Sequence, residues 1–261
     1  MSILCDLVVQ WCTTNNKATP SVYLDLLEAA SKKSSPSFVT FEYGERFREI
    51  TSNRHHFAIQ QINSAVEEAS GAERLLYLIG ELPQNDLGLE KKFRKHAEEE
   101  IFHHSLFIEI FDNVFSDVKI SETLRAQVES CLPSFEECTS SNVKVTQKRI
   151  LEEVVQINIG EIRNLVQLKL SVPMVISHCW NESYMDRCKE IMDRLIHDEG
   201  GHIYYTAILI ERLIDAGFRD DIVDLMDEAF YLFDLEAKRF MWPENYMPNK
   251  TIQKTAKAAA D

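Results

Sequence analysis

Glu-x-x-His occurs twice in this chain, as Glu100-Ile-Phe-His103 and as Glu199-Gly-Gly-His202, each within a run of helical periodicity. A step of three residues puts both side chains of a pair on one helix face. In the second copy that face is the apolar one. Cys188, Ile191, Met192, Leu195, Glu199, His202, Thr206 and Leu209 fall on a single line. A fold must turn such a line inward, and it must then find partners for the charges the line carries with it. Few architectures meet both demands.

A chain with 8 Gly and 7 Pro in 261 residues encodes few turns, so long helices are expected rather than many short strands. Apolar residues at steps of three and four (Ala58, Ile62, Ala65, Ala69, Ala72, Leu76, Ile79) predict a first long helix over about 52–81. A second is expected over 86–114, after the break at Pro83 and the Asn85-Asp86-Leu87-Gly88 stretch. The irregular connection 115–145 has room for a short helix. A third helix is expected over 146–170, ending before Pro173. A fourth runs over 183–216 and stops at Gly217, and a fifth over 220–241 before Pro243. Residues 1–50 read as a helical extension, with helices over 3–11 and 21–30, Ser21 as a cap, and a loop at 31–37. The polar tail after Pro248 is expected to fray. The expected class is all-α: one domain over 1–261, with a four-helix core at 52–216, an N-terminal extension and a C-terminal helix and tail at 217–261.

Charge and cysteine usage narrow the setting. A net charge of −14 without a basic cluster argues against a nucleic-acid surface. No run of about 18 apolar residues is present, so no membrane span is expected. The start lacks a basic, secretory-type leader, and none of the six cysteines forms a Cys-x-x-Cys pair. A cytoplasmic protein with reduced thiols is the expectation.

The same line test finds a third inward carboxylate. Leu151, Val154, Asn158, Glu161, Leu165 and Leu168 share one face. Burying unpartnered charges costs several kcal/mol each, so carboxylates converging on one point imply cations between them. The first long helix should add one more, level with Glu100 across the loop near residue 84. Glu68, on the flank of the apolar stripe, is the choice; Glu67 points away from it and Glu73 lies too near the loop. The expected metal ligands are therefore Glu68, Glu100, His103, Glu161, Glu199 and His202. Phe102, Phe107, Leu195 and Thr206 flank them and are the expected pocket residues. His55, His56, His96 and His104 are placed outside the ligand set, and Glu98 and Glu99 on a solvated face. Asp198 is either solvated or an acceptor for a ligand's second nitrogen. Trp180, Tyr204 and Tyr205 are packing residues, and His178 has no assigned role. Gly200 and Gly201 each cost a helix about 1 kcal/mol against Ala, and make room either for a reactant beside the metals or for close helix packing.

The order Glu68, Glu100-x-x-His103, Glu161, Glu199-x-x-His202, one ligand group per helix over 52–216, resembles the ferritin-like dimetal-carboxylate superfamily. That superfamily includes ribonucleotide reductase small subunits, aldehyde-deformylating oxygenases, fatty-acyl desaturases and arylamine N-oxygenases. The resemblance implies a ferritin-like four-helix bundle holding two Fe ions, with Mn or a mixed Mn/Fe pair as variants. It also implies an O2-activating oxidoreductase for a small organic substrate, with an electron donor and a homodimeric assembly as further expectations. Phe107 stands where the reductase subunits carry a radical Tyr, and Leu195 where the N-oxygenases add a His. No rubredoxin-like cysteines follow. Two other readings stay open: a ferroxidase or iron-binding protein, which predicts a polar channel, and a haem-oxygenase-like diiron oxidase, which would not need Glu68. A metal-free helical scaffold predicts instead that Glu161 and Glu199 pair with Arg or Lys, Arg163, Arg187 and Arg194 being the nearest in sequence.

Overall fold

The computed structural model describes residues 2–82, 87–134 and 146–242, and they are all-helical. The helices are α1 (Ile3–Thr14), α2 (Ser21–Ser34), α3 (Phe41–Ser52), α4 (Arg54–Glu81), α5 (Leu87–Phe115), α6 (Glu122–Ser130), α7 (Gln147–His178), α8 (Glu182–Asp215) and α9 (Arg219–Met241). The expected break at Pro83–Asp86, Cys138 and the tail beyond Pro248 lie outside the described residues.

Local chemistry sets most helix starts. Side chains of Ser2, Thr40, Asn53, Ser121, Thr146 and Asn181 each accept a backbone N–H in the first turn that follows. The start of α2 differs from expectation. Ser21 is its first helical residue rather than its cap, and Pro20 before it offers no side-chain acceptor. Glu211 of α8 takes over, its Oε1 accepting from the N–H groups of Val22 (2.9 Å) and Tyr23 (3.1 Å). A carboxylate there also suits the positive end of the helix dipole. At the far end of α8, Gly217 adopts φ +96°, and Phe218 N–H donates back to Leu213 O, a left-handed stop that favours glycine.

Two further boundaries depart from the sequence reading. α7 continues past Pro173 to His178. Pro173 lies on an exposed face, where the carbonyl it leaves unpaired can meet water, while Met174 and Val175 on either side of that face are buried. The burial gained outweighs the lost bond. Helix α3, which the periodicity did not single out, buries Tyr43, Phe47 and Thr51 at steps of four.

Packing follows the stripes. α4 lies against α5, α7 against α8, and α5 against α8. Arg74 of α4 ties α4 to α7 through Glu153 and Gln156. α1 and α2 cover α8, α9 covers α7 and α2, and α3 bridges α4 and α7. Every residue of the α4 stripe is buried, as are Leu151, Val154, Asn158, Glu161, Leu165 and Leu168 on α7. Phe57, Phe93, Phe115, Tyr23 and Tyr43 are enclosed, each worth about 1.5–3 kcal/mol of hydrophobic burial. No described helix is long and apolar enough to cross a membrane.

Of the Gly200-Gly201 pair, Gly200 serves packing. A Cβ at 200 would overlap the indole of Trp11, whose Nε1 donates to His197 O at 2.9 Å and whose ring stacks on Tyr204. At Gly201 the nearest Trp11 atom would lie 3.7 Å away, an ordinary contact. Gly200→Ala should therefore lower the unfolding free energy by about 1–3 kcal/mol through displacement of α1. Gly201→Ala should leave stability unchanged or raise it by up to about 1 kcal/mol. Denaturant unfolding of the two variants checks this, and equal effects would refute the assignment.

Candidate metal centre

Four helices turn polar side chains inward at one level. α4 supplies Glu68, α5 supplies His96, Glu100 and His103, α7 supplies Glu161, and α8 supplies Glu199 and His202. All seven are buried. One atom each from His96, Glu100, Glu161 and His202 lies within 4.8 Å of the others, and the same holds for Glu68, Glu100, His103 and Glu199. Glu100 belongs to both groups. Its Oε1 lies 2.9 Å from His96 Nε2, 3.3 Å from His202 Nδ1 and 3.9 Å from His103 Nδ1. Glu199 spans them as well, with Oε1 3.7 Å from His103 Nδ1 and Oε2 3.7 Å from His202 Nδ1. Glu161 Oε1 stands 3.1 Å from His96 Nε2, and Glu68 Oε2 3.4 Å from His103 Nδ1. Gly71 makes room for this crowd, since a Cβ there would press on Glu100 Oε2 at 3.3 Å.

Each imidazole is held from behind. His103 Nε2 donates to Asp198 Oδ2 (3.4 Å), and Arg194 Nε holds that same oxygen at 2.5 Å. His202 Nε2 donates to Glu99 Oε2 (3.3 Å), and Lys95 donates to the other oxygen of Glu99 at 2.5 Å. His96 Nδ1 lies 2.7 Å from the Tyr205 hydroxyl. A proton fixed on the outer nitrogen leaves the inner one free to act as a ligand.

The charges cannot all coexist without a cation. Burial, and then repulsion from Glu68, pushes the Glu100 carboxyl well above the ordinary range, and burial with Glu161 does the same to Glu199. Burial opposes ionisation of Glu161 too, but the adjacent His96 and the neighbouring Glu199 carboxyl prevail and hold it below that range. Burial opposes the charge on His103, yet Asp198 and Glu68 outweigh it and raise its pKa to about 9. His202 falls to about 4, through burial and then the adjacent His96, whose ring centroid is 3.5 Å away. Protons thus stand in for positive charge between the carboxylates.

Polar atoms left unsatisfied also converge here. Glu68 Oε2, His103 Nδ1, both oxygens of Glu199 and His202 Nδ1 are buried without a hydrogen-bond partner. The scaffold alternative required Arg or Lys against Glu161 and Glu199. Among the described residues none pairs with either. Arg163 pairs with Glu236, Arg187 with Glu109, and Arg194 with Asp198. Oxygen and imidazole donors with orphaned atoms facing one another fit divalent cations such as iron, manganese or zinc.

All six residues expected as ligands from the sequence meet at this one place, and three neighbours depart from expectation. His96, placed outside the ligand set, is buried at the centre. The signal was available: Phe93, His96, Glu100, His103, Phe107 and Ile110 form one stripe of alternating three- and four-residue steps on α5, all buried. Glu99 supports His202 instead of lying on a solvated face, whereas Asp198, buried behind His103, takes the acceptor place that was one of its two expected readings. Tyr205, taken as packing, contacts His96. His104 is buried with Nδ1 2.8 Å from Ala65 O, and His178 is held 2.8 Å from Thr51 O; both are structural.

Of the expected pocket residues only Phe107 lines the cleft of about 680 Å3 that reaches the cluster. Phe102 is exposed beneath Arg194, and Leu195 and Thr206 are fully buried, with Thr206 bonded to Asn158. The cleft opens on the opposite side, between α4, α7 and α9, where the short side chains Ser64, Gly71 and Gly160 leave space.

Comparison of the chain with protein-family models, with curated proteins and with solved structures returned no match.

Because protons hold the place of cations, metal binding must release them from Glu100, Glu199 and His103. Affinity for Mn(II) should therefore rise between about pH 6 and 8. Titration calorimetry in buffers of different ionisation enthalpy should detect the released protons, and a pH-independent affinity would contradict the assignment. The metal-free protein should behave oppositely. Acids and bases whose folded pKa is raised stabilise below their unfolded value and lose that contribution as pH climbs through the folded one. From His103 (6.5 unfolded, about 9 folded), metal-free stability should fall as pH rises across that window, and added metal should restore it.

Proposed function

We propose that the protein is an O2-activating dinuclear iron oxidoreductase built on a ferritin-like four-helix core and acting on a small organic substrate. The observation that supports this most directly is the set of orphaned carboxylate and imidazole atoms facing one another without a basic side chain between them. Glu100 and Glu199, each facing both His103 and His202, would help to hold both cations. His96, Glu161 and His202 would serve one, and Glu68 and His103 the other. Bound Fe(II) would supply electrons to O2, and O2 would supply the oxidising equivalents.

The chain's own residues do the remaining work. Asp198 and Glu99 orient His103 and His202, and Tyr205 orients His96. Glu100 and Glu199 hold protons near the centre in the metal-free state and give them up on loading. Phe107 forms an apolar wall where the cleft meets the cluster, limiting water at the reacting end. Glu68, 3.4 Å from His103, favours the ferritin-like arrangement over the haem-oxygenase-like one, which has no use for a carboxylate there.

One observation favours a rival. The cleft is walled largely by Gln, Asn, Ser, Glu and Arg side chains. That is the polar route expected of a ferroxidase or iron-handling protein.

Anaerobic Fe(II) loading followed by elemental analysis should give about two irons per chain. Glu199→Ala and His202→Ala should each lose at least one, whereas the Phe102→Ala control, away from the cleft, should lose none. Unchanged iron in both ligand variants would remove the ligand assignment. Exposure of the loaded protein to O2 separates the rivals: an oxygenase retains its iron and forms a transient visible chromophore, whereas an iron carrier oxidises and discharges repeated additions of Fe(II).

A further inference from the structure

The cleft that leads to the cluster has an uneven supply of hydrogen-bonding groups. Gln61 is 2% exposed, lines the cleft, and its Oε1 has no donor. Gln60 Oε1, one residue earlier, is likewise buried and unpartnered. Glu67, a turn and a half further along α4, also lines the cleft; no described Lys or Arg forms an ion pair with it, and Arg163 favours its charge only from beyond contact distance. The two basic residues of the cleft are already engaged. Arg74 is held by Glu153 and Gln156, and Arg163 by Glu236 and Asn164, with Arg163 Nε buried and without an acceptor. Acceptors therefore wait for donors, and negative charge waits for positive.

The aromatic lining agrees. Phe233 lines the wall, drawn close where Gly160 leaves space: a Cβ there would sit 3.1 Å from its Cζ. Its ring already carries one cation, the Arg163 guanidinium, 5.0 Å from the centroid. Phe107 closes the inner end. A positively charged ligand with a short apolar body would set its chain against these rings and its N–H groups against the acceptors of α4. The formal charge of −14 would draw such a ligand in and repel an anionic one.

We propose that the cleft between α4, α7 and α9 binds an organic cation bearing several N–H donors, an alkyl amine or diamine, through Glu67, Gln60 and Gln61. This rests on the dinuclear reading only in taking the inner end, beside Glu100 and Phe107, as the reacting end. Binding itself requires no metal.

The test is titration calorimetry of the full chain with 1,4-diaminobutane, with 1,4-butanediol and succinate as neutral and anionic matches, and iron content measured on the same preparation. The diamine should bind one per chain, and the diol and the diacid should not. Glu67→Gln, at an exposed position where folding is not at stake, should weaken the diamine about tenfold by removing a charged acceptor. Glu129→Gln, a surface carboxylate of α6, should leave it unchanged, which separates the cleft from general attraction to an acidic protein. Absent diamine binding, equal binding of succinate, or an unaltered Glu67→Gln affinity would overturn the proposal. If iron binds and the diamine does not, this inference falls alone; if the diamine binds and iron does not, the dinuclear reading falls alone.

Discussion

Four carboxylates meet inside a helical core with no Lys or Arg among the described residues to neutralise them, and much of the interior is arranged around that fact. Ionised carboxylates in a low-dielectric space repel one another strongly, and desolvation adds several kcal/mol for each. A chain has three remedies: protonate some of them, bring imidazoles among them, or bind cations. This protein uses the first two in its metal-free state. Glu100 and Glu199 are pushed towards the neutral form, and His103 keeps its proton against burial. Neither remedy satisfies the orphaned atoms of Glu68, Glu199, His103 and His202. Cations would do so.

The supporting residues follow from the same constraint. A pair of imidazoles in contact, His96 and His202, is tolerable because His202 is kept neutral. Asp198 and Glu99 each carry a second bond from a basic residue on their own helix, Arg194 and Lys95. That charge compensation sits one layer out, where the side chains reach solvent. Deeper along α7, Asn158 joins the Tyr23 hydroxyl, Thr206 and the Ile203 carbonyl, locking α2, α7 and α8 in register one turn from Glu161. Gly71 and Gly160 provide space for Glu100 and Phe233. Such a site is exacting, since a shift of α7 or α8 by one turn would break both groups of ligands.

Much of this was legible in the sequence because a helix maps spacing directly onto direction. The stripes on α4, α7 and α8 identified Glu68, Glu161, Glu199 and His202 as inward-facing, and the fourth helix, α5, would have yielded His96 by the same test. Boundaries set by tertiary packing were less legible. Pro173 reads as a stop, but its place on the solvent side lets α7 continue. The start of α2 depends on Glu211, almost the length of the chain away, and no local signal marks it. The approach to the cluster was hidden for a related reason. Phe102 and Thr206 adjoin the ligands in sequence, whereas the space beside the ligands is made by small residues on α4 and α7 and by α9 folding back across them. Adjacency along a helix predicts which face a residue takes, not which neighbouring helix stands away from that face.

The most direct measurement is anomalous diffraction at the iron edge from crystals grown anaerobically with Fe(II). Two peaks should be found, one among His96, Glu161 and His202 and the other between Glu68 and His103, with Glu100 and Glu199 between them. A single peak elsewhere on the surface, or none with the cluster intact and protonated, would contradict a dinuclear centre.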